Sequence, residues 1–365
     1  MSKIQLTKEI AYEALQNFFN QKPFVLFGTG ISCAVDQDFG MGALEHYLKT
    51  EIPKRNLTKQ QKIEWESVLE ALSQNSDFEA AMNSINDEIL LEHVIDTTAK
   101  QVSIVDCRNT FKILNKKKPW SATSMFKRLV DRLPETDRTL HVATPNYDLL
   151  AEYAFTQAAI PYTTGFWGGV VRKLDWIQSE RQMTYAEKVS AGRSKVISIT
   201  RQKKHLRLYK VHGSLNTFFY KGQVVETDAW FNVPVGVKRL IITPGTSKHE
   251  KLHYYRDALL GEFDKAVRSH SAFLFLGFGF NDTQLVNNAI SEKLKKNASP
   301  ALIITRSSNY RIESLLKESK NTWLVCKQHG NDGTRILNAN YQDWLTLPDK
   351  ELWKFDQFTT EIMGG

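Results

Sequence analysis

Four short sequences bring together the residue types that polar chemistry needs, and each follows an apolar run. Gly28-Thr29-Gly30-Ile31-Ser32 follows Pro23-Phe-Val-Leu-Phe, and Thr144-Pro145-Asn146-Tyr147-Asp148 ends the run that starts at Leu140. His212-Gly-Ser follows Leu206-Arg-Leu-Tyr-Lys-Val, and Gly277-Phe-Gly-Phe-Asn281-Asp282 follows Ala272-Phe-Leu-Phe-Leu. Gly28 and Gly30 let the backbone come close to a phosphate, and a helix starting there turns its free N–H groups toward an anion. Ser32 adds a hydroxyl donor. A tight turn uses the same glycine spacing, and Cys33 stands where a dinucleotide-binding fingerprint has its third glycine. Asn146 offers both a donor and an acceptor, suited to a ribose hydroxyl or a water molecule. Asp148 either orients that ligand or caps the helix expected over Leu149 to Gln157. His212 is a candidate general base, against the alternative of a structural histidine. Asn281 and Asp282 suit sugar hydroxyls, or equally a turn and a helix cap. Thr29, Thr144 and Gly277 complete the candidate ligand-binding positions.

These residues need elements to position them. The apolar runs named above, with Leu240-Ile-Ile-Thr before Pro244, Ala301-Leu-Ile-Ile-Thr and Thr322-Trp-Leu-Val-Cys, read as short strands. Nearly continuous apolar strands imply burial on both faces, the habit of a parallel sheet flanked by helices. The expected fold is α/β, a parallel sheet within one domain over residues 1–365, with ligands beyond the carboxyl ends of its strands. Residues 41–126 read as a helical insertion, with apolar residues three and four apart over Lys59–Leu72, Asp77–Ile95 and Ala99–Leu114. Residues 165–205 have weak periodicity and read as a basic, irregular insertion. The tail, 341–365, carries Trp344, Trp353, Phe355 and Phe358, and is expected to pack on the core or on another subunit.

Composition narrows the classes. Hydrophobic residues make up 42% and charged residues 24%, ordinary for a globular chain and ample for a core. The longest apolar stretch, about ten residues from Ser271 to Phe280, is too short for a membrane span. The first residues have no apolar signal core, so the expectation is a cytoplasmic protein. Cys33, Cys107 and Cys326 stand far apart, which excludes a disulfide framework and a four-cysteine zinc site within one chain. The net charge is +8, and between Glu187 and Lys210 eight basic residues accompany one acid. That run reads as a solvated surface or as a loop touching a polyanion. No aromatic stacking platform accompanies it, so nucleic acid is not an expected direct ligand.

Taken in order, the four motifs resemble the sirtuin (SIR2) family, where a Gly-Ala-Gly-x-Ser loop, Thr-Gln-Asn-Ile-Asp, a His-Gly and a late Gly-rich strand end follow one another. The resemblance runs from Phe24 to Thr305 as islands between divergent insertions. It implies a Rossmann-like domain that binds NAD and cleaves the nicotinamide–ribose bond. By position, Gly28, Gly30 and Ser32 would cradle the pyrophosphate and Asn146 the nicotinamide ribose or the attacking water. His212 would be the base, and Gly277, Asn281 and Asp282 would lie at the adenosine end.

The departures from that pattern carry information too. No Cys-x-x-Cys pairs supply a zinc module, and Gln37-Asp38-Phe39-Gly40 lacks the arginine of the deacetylases' Pro-Asp-Phe-Arg stretch. The chain looks like the SIR2-like proteins of bacterial anti-phage defence, which implies hydrolysis of NAD as a substrate, with no zinc. A protein deacylase or ADP-ribosyltransferase, and a non-catalytic NAD-binding scaffold, are the competing readings. With no recognisable sensor domain in the sequence, control is expected to come from homo-oligomerisation or a partner, and the resemblance points to a HerA-type ATPase.

Overall fold

The computed structural model describes residues 4–364 apart from 75–77, 83, 191–195, 244–249, 283–284 and 287. Asp77, Arg193, Lys195 and Pro244, which enter the sequence reading, lie outside the described residues. Among the described residues the main sheet has nine strands, numbered along the chain. They are β1 (Phe24–Phe27), β2 (Thr139–Thr144), β3 (Tyr162–Thr163), β4 (His205–Lys210), β5 (Phe273–Leu276), β6 (Ala301–Thr305), β7 (Thr322–Lys327), β8 (Thr334–Asn338) and β9 (Leu345–Leu347). Their order across the sheet is β9-β8-β7-β6-β5-β1-β2-β4-β3. All neighbours from β7 to β3 are parallel, and only β8 and β9 join antiparallel. The winding reverses between β1 and β5, and the crevice of an open α/β sheet lies at such a switch point.

Burial explains the continuous apolar strands. All four residues of β1 are buried, Val25 and Phe27 in one core and Phe24 and Leu26 in the other. The helices are α1 (Lys8–Phe18), α2 (Thr29–Val35), α3 (Met41–Glu51), α4 (Lys59–Ser73), α5 (Phe78–Met82), α6 (Glu88–Leu114), α7 (Thr123–Asp131) and α8 (Leu150–Gln157), followed by α9 (Trp176–Arg181), α10 (Glu250–Ser269), α11 (Asn288–Lys295), α12 (Tyr310–Glu318) and α13 (Phe355–Ile362). Leu15 of α1, Phe126 of α7, Phe155 of α8 and Phe358 of α13 fill the first core. Phe263 of α10, Leu294 of α11 and Leu316 of α12 fill the second. The molecule is a mixed α/β fold with a central sheet between helical layers.

The inserted helices build a core of their own from Leu48, Trp65, Val68, Met82, Leu90 and Val94, among others. Its members lie between Leu44 and Ile95. Helix α6 runs unbroken from Glu88 to Leu114, where the spacing predicts two helices. No Gly or Pro interrupts it, and the Thr97 hydroxyl is satisfied within the helix by the carbonyl of His93 at 2.7 Å. From Val102 onward α6 joins the sheet core, together with Trp120 and Phe126.

The described residues of 165–205 hold regular structure. Phe166–Gly168 and Arg172–Leu174 belong to a second, antiparallel sheet with Gly213–Tyr220, Gln223–Glu226 and Lys238–Ile241. The run at Leu240 therefore leaves the parallel sheet in which the sequence places it. Thr184–Ser190 and Val196–Gln202 pair as a separate hairpin. The tail rings find their surface on this same chain: Phe355 and Phe358 enter the first core, Trp344 packs on the second, and Trp353 lies under Lys327 and Lys354. Among the described residues, no helix is long and apolar enough to cross a membrane.

Candidate active site

The register of β2 and β4 sets the two central candidates at matching positions past the ends of adjacent strands. Thr144 pairs with Lys210 across this parallel ladder. Asn146 and His212 each stand two residues beyond that pair. The chain past β4 stays tied to β2, because the Val211 N–H donates to the Thr144 carbonyl at 3.2 Å.

Asn146 is almost fully buried, and its orientation follows from its neighbours. Its Nδ2 donates to the Gly28 carbonyl at 3.2 Å and to Ser32 Oγ at 3.0 Å. A carbonyl oxygen only accepts, so the amide nitrogen must face it. The Thr29 hydroxyl lies 3.5 Å from Oδ1, a long contact, and the Asn146 N–H donates to Thr144 Oγ1 at 3.1 Å. Both donors of the side-chain amide are therefore committed to protein, and its chemical capacity toward a ligand is the acceptor Oδ1.

Ser32 and Asp148 form the support beneath. The Ser32 hydroxyl donates to Asp148 Oδ2 at 2.7 Å, while Asp148 Oδ1 accepts the N–H of Leu150, the first residue of α8, at 3.2 Å. Ser32 thus spends its proton on Asp148 and its lone pair on Asn146. In its protein contacts Asp148 serves Ser32 and the first residue of α8.

The glycine loops pack on each other. A Cβ on Gly28 would sit 2.9 Å from the Gly277 carbonyl oxygen, and one on Gly30 only 2.7 Å from it. Gly277 has φ +54°, and a Cβ there would meet the Ile31 nitrogen at 2.8 Å. The amides expected to face an anion are engaged within the protein: Gly30 N–H donates to the Gly277 carbonyl at 3.0 Å and Ile31 N–H to the Gly28 carbonyl at 3.2 Å. Close packing of the β1 and β5 ends is thus what these glycines serve in the described contacts.

His212 Nε2 lies 3.2 Å from Asp282 Oδ2, with both side chains mostly buried. Asn281 is exposed, and Asn309 rather than Asn281 reaches back to the Gly279 carbonyl, at 2.8 Å. The structure therefore gathers Gly28, Thr29, Gly30, Ser32, Thr144, Asn146, Asp148 and Gly277 into one cluster. It pairs His212 with Asp282 and leaves Asn281 outside both groups.

Three residues of this neighbourhood escaped the sequence reading. Lys210, counted there within a solvated basic run, is buried; it donates to the Asp148 carbonyl at 2.5 Å and pairs with Glu152 at 3.0 Å. Burial pushes the Glu152 carboxyl up, against the pull of Lys210. Asp106 of α6 accepts the Leu149 N–H and the Tyr153 hydroxyl, and burial raises it to about 7. The only signal for Lys210 was its place at the end of an alternating strand; nothing in the α6 sequence marks Asp106. Burial also pushes the Cys33 thiol up, which keeps it protonated and argues against a cysteine nucleophile. No three His, Cys, Asp or Glu side chains gather as a metal site among the described residues.

A family model described as SIR2-like domain matches residues 140–324, just over half the chain. The matched stretch holds Asn146, Asp148, His212, Gly277 and Asp282, and the Gly28 loop precedes it. No curated protein matches the chain.

Proposed function

The chain belongs to the SIR2-like family, which links it to NAD-dependent catalysis, and from that premise we propose that it is an NAD+ glycohydrolase. It cleaves the nicotinamide–ribose bond and releases nicotinamide and ADP-ribose. The observation that carries this reading is the alignment of Asn146 and His212 just past a paired position on adjacent parallel strands. Departure of nicotinamide leaves an oxocarbenium-like ribose that needs a nucleophile and a proton acceptor. Asn146, locked by Gly28 and Ser32, offers Oδ1 to a water or a ribose hydroxyl. His212 accepts the proton, a role typically worth about 10²–10⁴-fold in rate.

The same proposal includes the biological setting. The resemblance to SIR2-like defence proteins supports an effector that depletes NAD in a phage-infected cell, as a homo-oligomer controlled by a HerA-type ATPase. The test is to incubate the purified chain with NAD, alone and mixed with such an ATPase, and to follow free nicotinamide. Release by the wild type and none by folded Asn146→Ala or His212→Ala supports the reading. No release under either condition removes it.

A further inference from the structure

The contact between His212 and Asp282 does not follow from their places in the sheet. His212 lies past β4 and Asp282 past β5, and β1 and β2 stand between those strands. Four adjacent strands span roughly 14 Å from first to last at ordinary strand spacing. The two loops nevertheless converge across the carboxyl ends of β1 and β2, bringing Nε2 and Oδ2 to 3.2 Å. Both partners are held from behind. Asp282 Oδ1 accepts the Leu285 N–H at 3.1 Å, and its carbonyl accepts the Val286 N–H at 3.1 Å. The His212 carbonyl accepts the Ile242 N–H at 2.9 Å.

We propose that Asp282 is the positioning residue of the base, forming with His212 a dyad across the crevice rather than contacting the adenosine end of the substrate. The inference rests on His212 being the base of the proposed hydrolysis. An ionised carboxylate can only accept a hydrogen bond. Nε2 and Oδ2 stand at ion-pair distance without hydrogen-bond geometry. In the proposed dyad a small rotation of the ring lets the carboxylate hold the proton on Nε2 and leave Nδ1 as the accepting nitrogen, the logic by which a fixed acid orients a catalytic imidazole. In the step this serves, a water oxygen bonds to the anomeric carbon as the carbon–nitrogen bond breaks. Its electron pair leaves with nicotinamide, the water proton passes to Nδ1, and the imidazolium so formed faces the carboxylate.

Two measurements on wild type and the near-isosteric Asp282→Asn test the dyad. The first is kcat and KM for NAD; the second is the pair of His212 ring nitrogen shifts in ¹⁵N-histidine-labelled protein, which reads the tautomer without any turnover. The dyad predicts a fall in kcat of about 10²-fold or more with KM nearly unchanged, and a wild-type Nε2–H tautomer that becomes mixed in the variant. A raised KM at wild-type kcat, or ring nitrogen shifts that the substitution leaves unmoved, overturns it. If the wild type releases no nicotinamide, the hydrolase reading fails, and the nitrogen shifts alone still decide whether Asp282 sets the tautomer.

Discussion

Asp106 accepts the backbone N–H of Leu149 at 2.7 Å, so a carboxylate on the long inserted helix caps the helix that follows the Asn146 loop. The same helix reaches the other side of the site. Arg108 and Asn109 bind Asp36 at the end of α2, and Gln101 donates to the Asp38 carbonyl at 2.6 Å. The insertion is thereby bonded to the segments after both β1 and β2, which carry Ser32 and Asn146.

Asp106 has a pH signature. Burial, reinforced by Asp148, raises its carboxyl from 3.8 to about 7. A raised acid holds its proton more tightly folded than unfolded. Its contribution to stability is complete below pH 3.8 and is lost as pH rises to about 7, at up to about 1.4 kcal/mol per unit. Asp106→Asn keeps an acceptor for Leu149 and removes the titration. Urea unfolding should find the variant gaining on wild type between about pH 5 and pH 8; a constant difference across that range contradicts the assignment.

Gly30 and Gly277 should behave as one contact. Gly30→Ala places a Cβ 2.7 Å from the Gly277 carbonyl, and Gly277→Ala strains a φ of +54°. Each is expected to cost on the order of 1–3 kcal/mol. The double variant should cost less than the sum, because either substitution alone already parts the loops. Gly42→Ala is the control: it lies in α3 with open space around it and should stabilise by about 0.5–1 kcal/mol. Additive costs for the pair, measured by chemical denaturation, would separate the two loops energetically.

His141 makes the fold acid-sensitive. Burial, with His270 and Arg207 nearby, lowers it from 6.5 to about 3, and its Nδ1 meets the Tyr209 hydroxyl at 2.8 Å. A base with a lowered folded pKa stabilises the fold above 6.5, and that stability is lost progressively as pH falls toward 3, again by up to about 1.4 kcal/mol per unit. Whatever its offset at neutral pH, His141→Phe should lose less stability than wild type on going to about pH 5. Equal losses in the two proteins would place the acid sensitivity elsewhere.

The parallel core was legible because its strands are buried on both faces: Ala301–Thr305 falls where the apolar run predicts, and β1, β2, β5 and β7 differ from their runs by one residue at one end. The run at Leu240 misled because a four-residue apolar stretch looks the same in a parallel and an antiparallel sheet. The second sheet stayed hidden because strands such as Arg172–Leu174 and Gln223–Glu226 are short and partly polar. At the site, residue types flagged Asn146, His212 and Asp282 singly. What they touch depends on register and loop course, which local spacing does not encode: Ser32 and Asn146 meet only through the β1–β2 pairing, 114 residues apart.

Water is the nucleophile of the proposed hydrolysis, and isotope labelling of the solvent tests that step. The purified protein, with whatever partner its activity requires, is incubated with NAD in ¹⁸O-enriched water, and nicotinamide and ADP-ribose are followed by mass spectrometry. Hydrolysis should give equal amounts of both products, with one solvent oxygen in each ADP-ribose and neither product from Asn146→Ala. Nicotinamide released without free ADP-ribose, its ribosyl group carried instead on protein or on an acyl acceptor, would contradict hydrolysis and make the chain a transferase or deacylase.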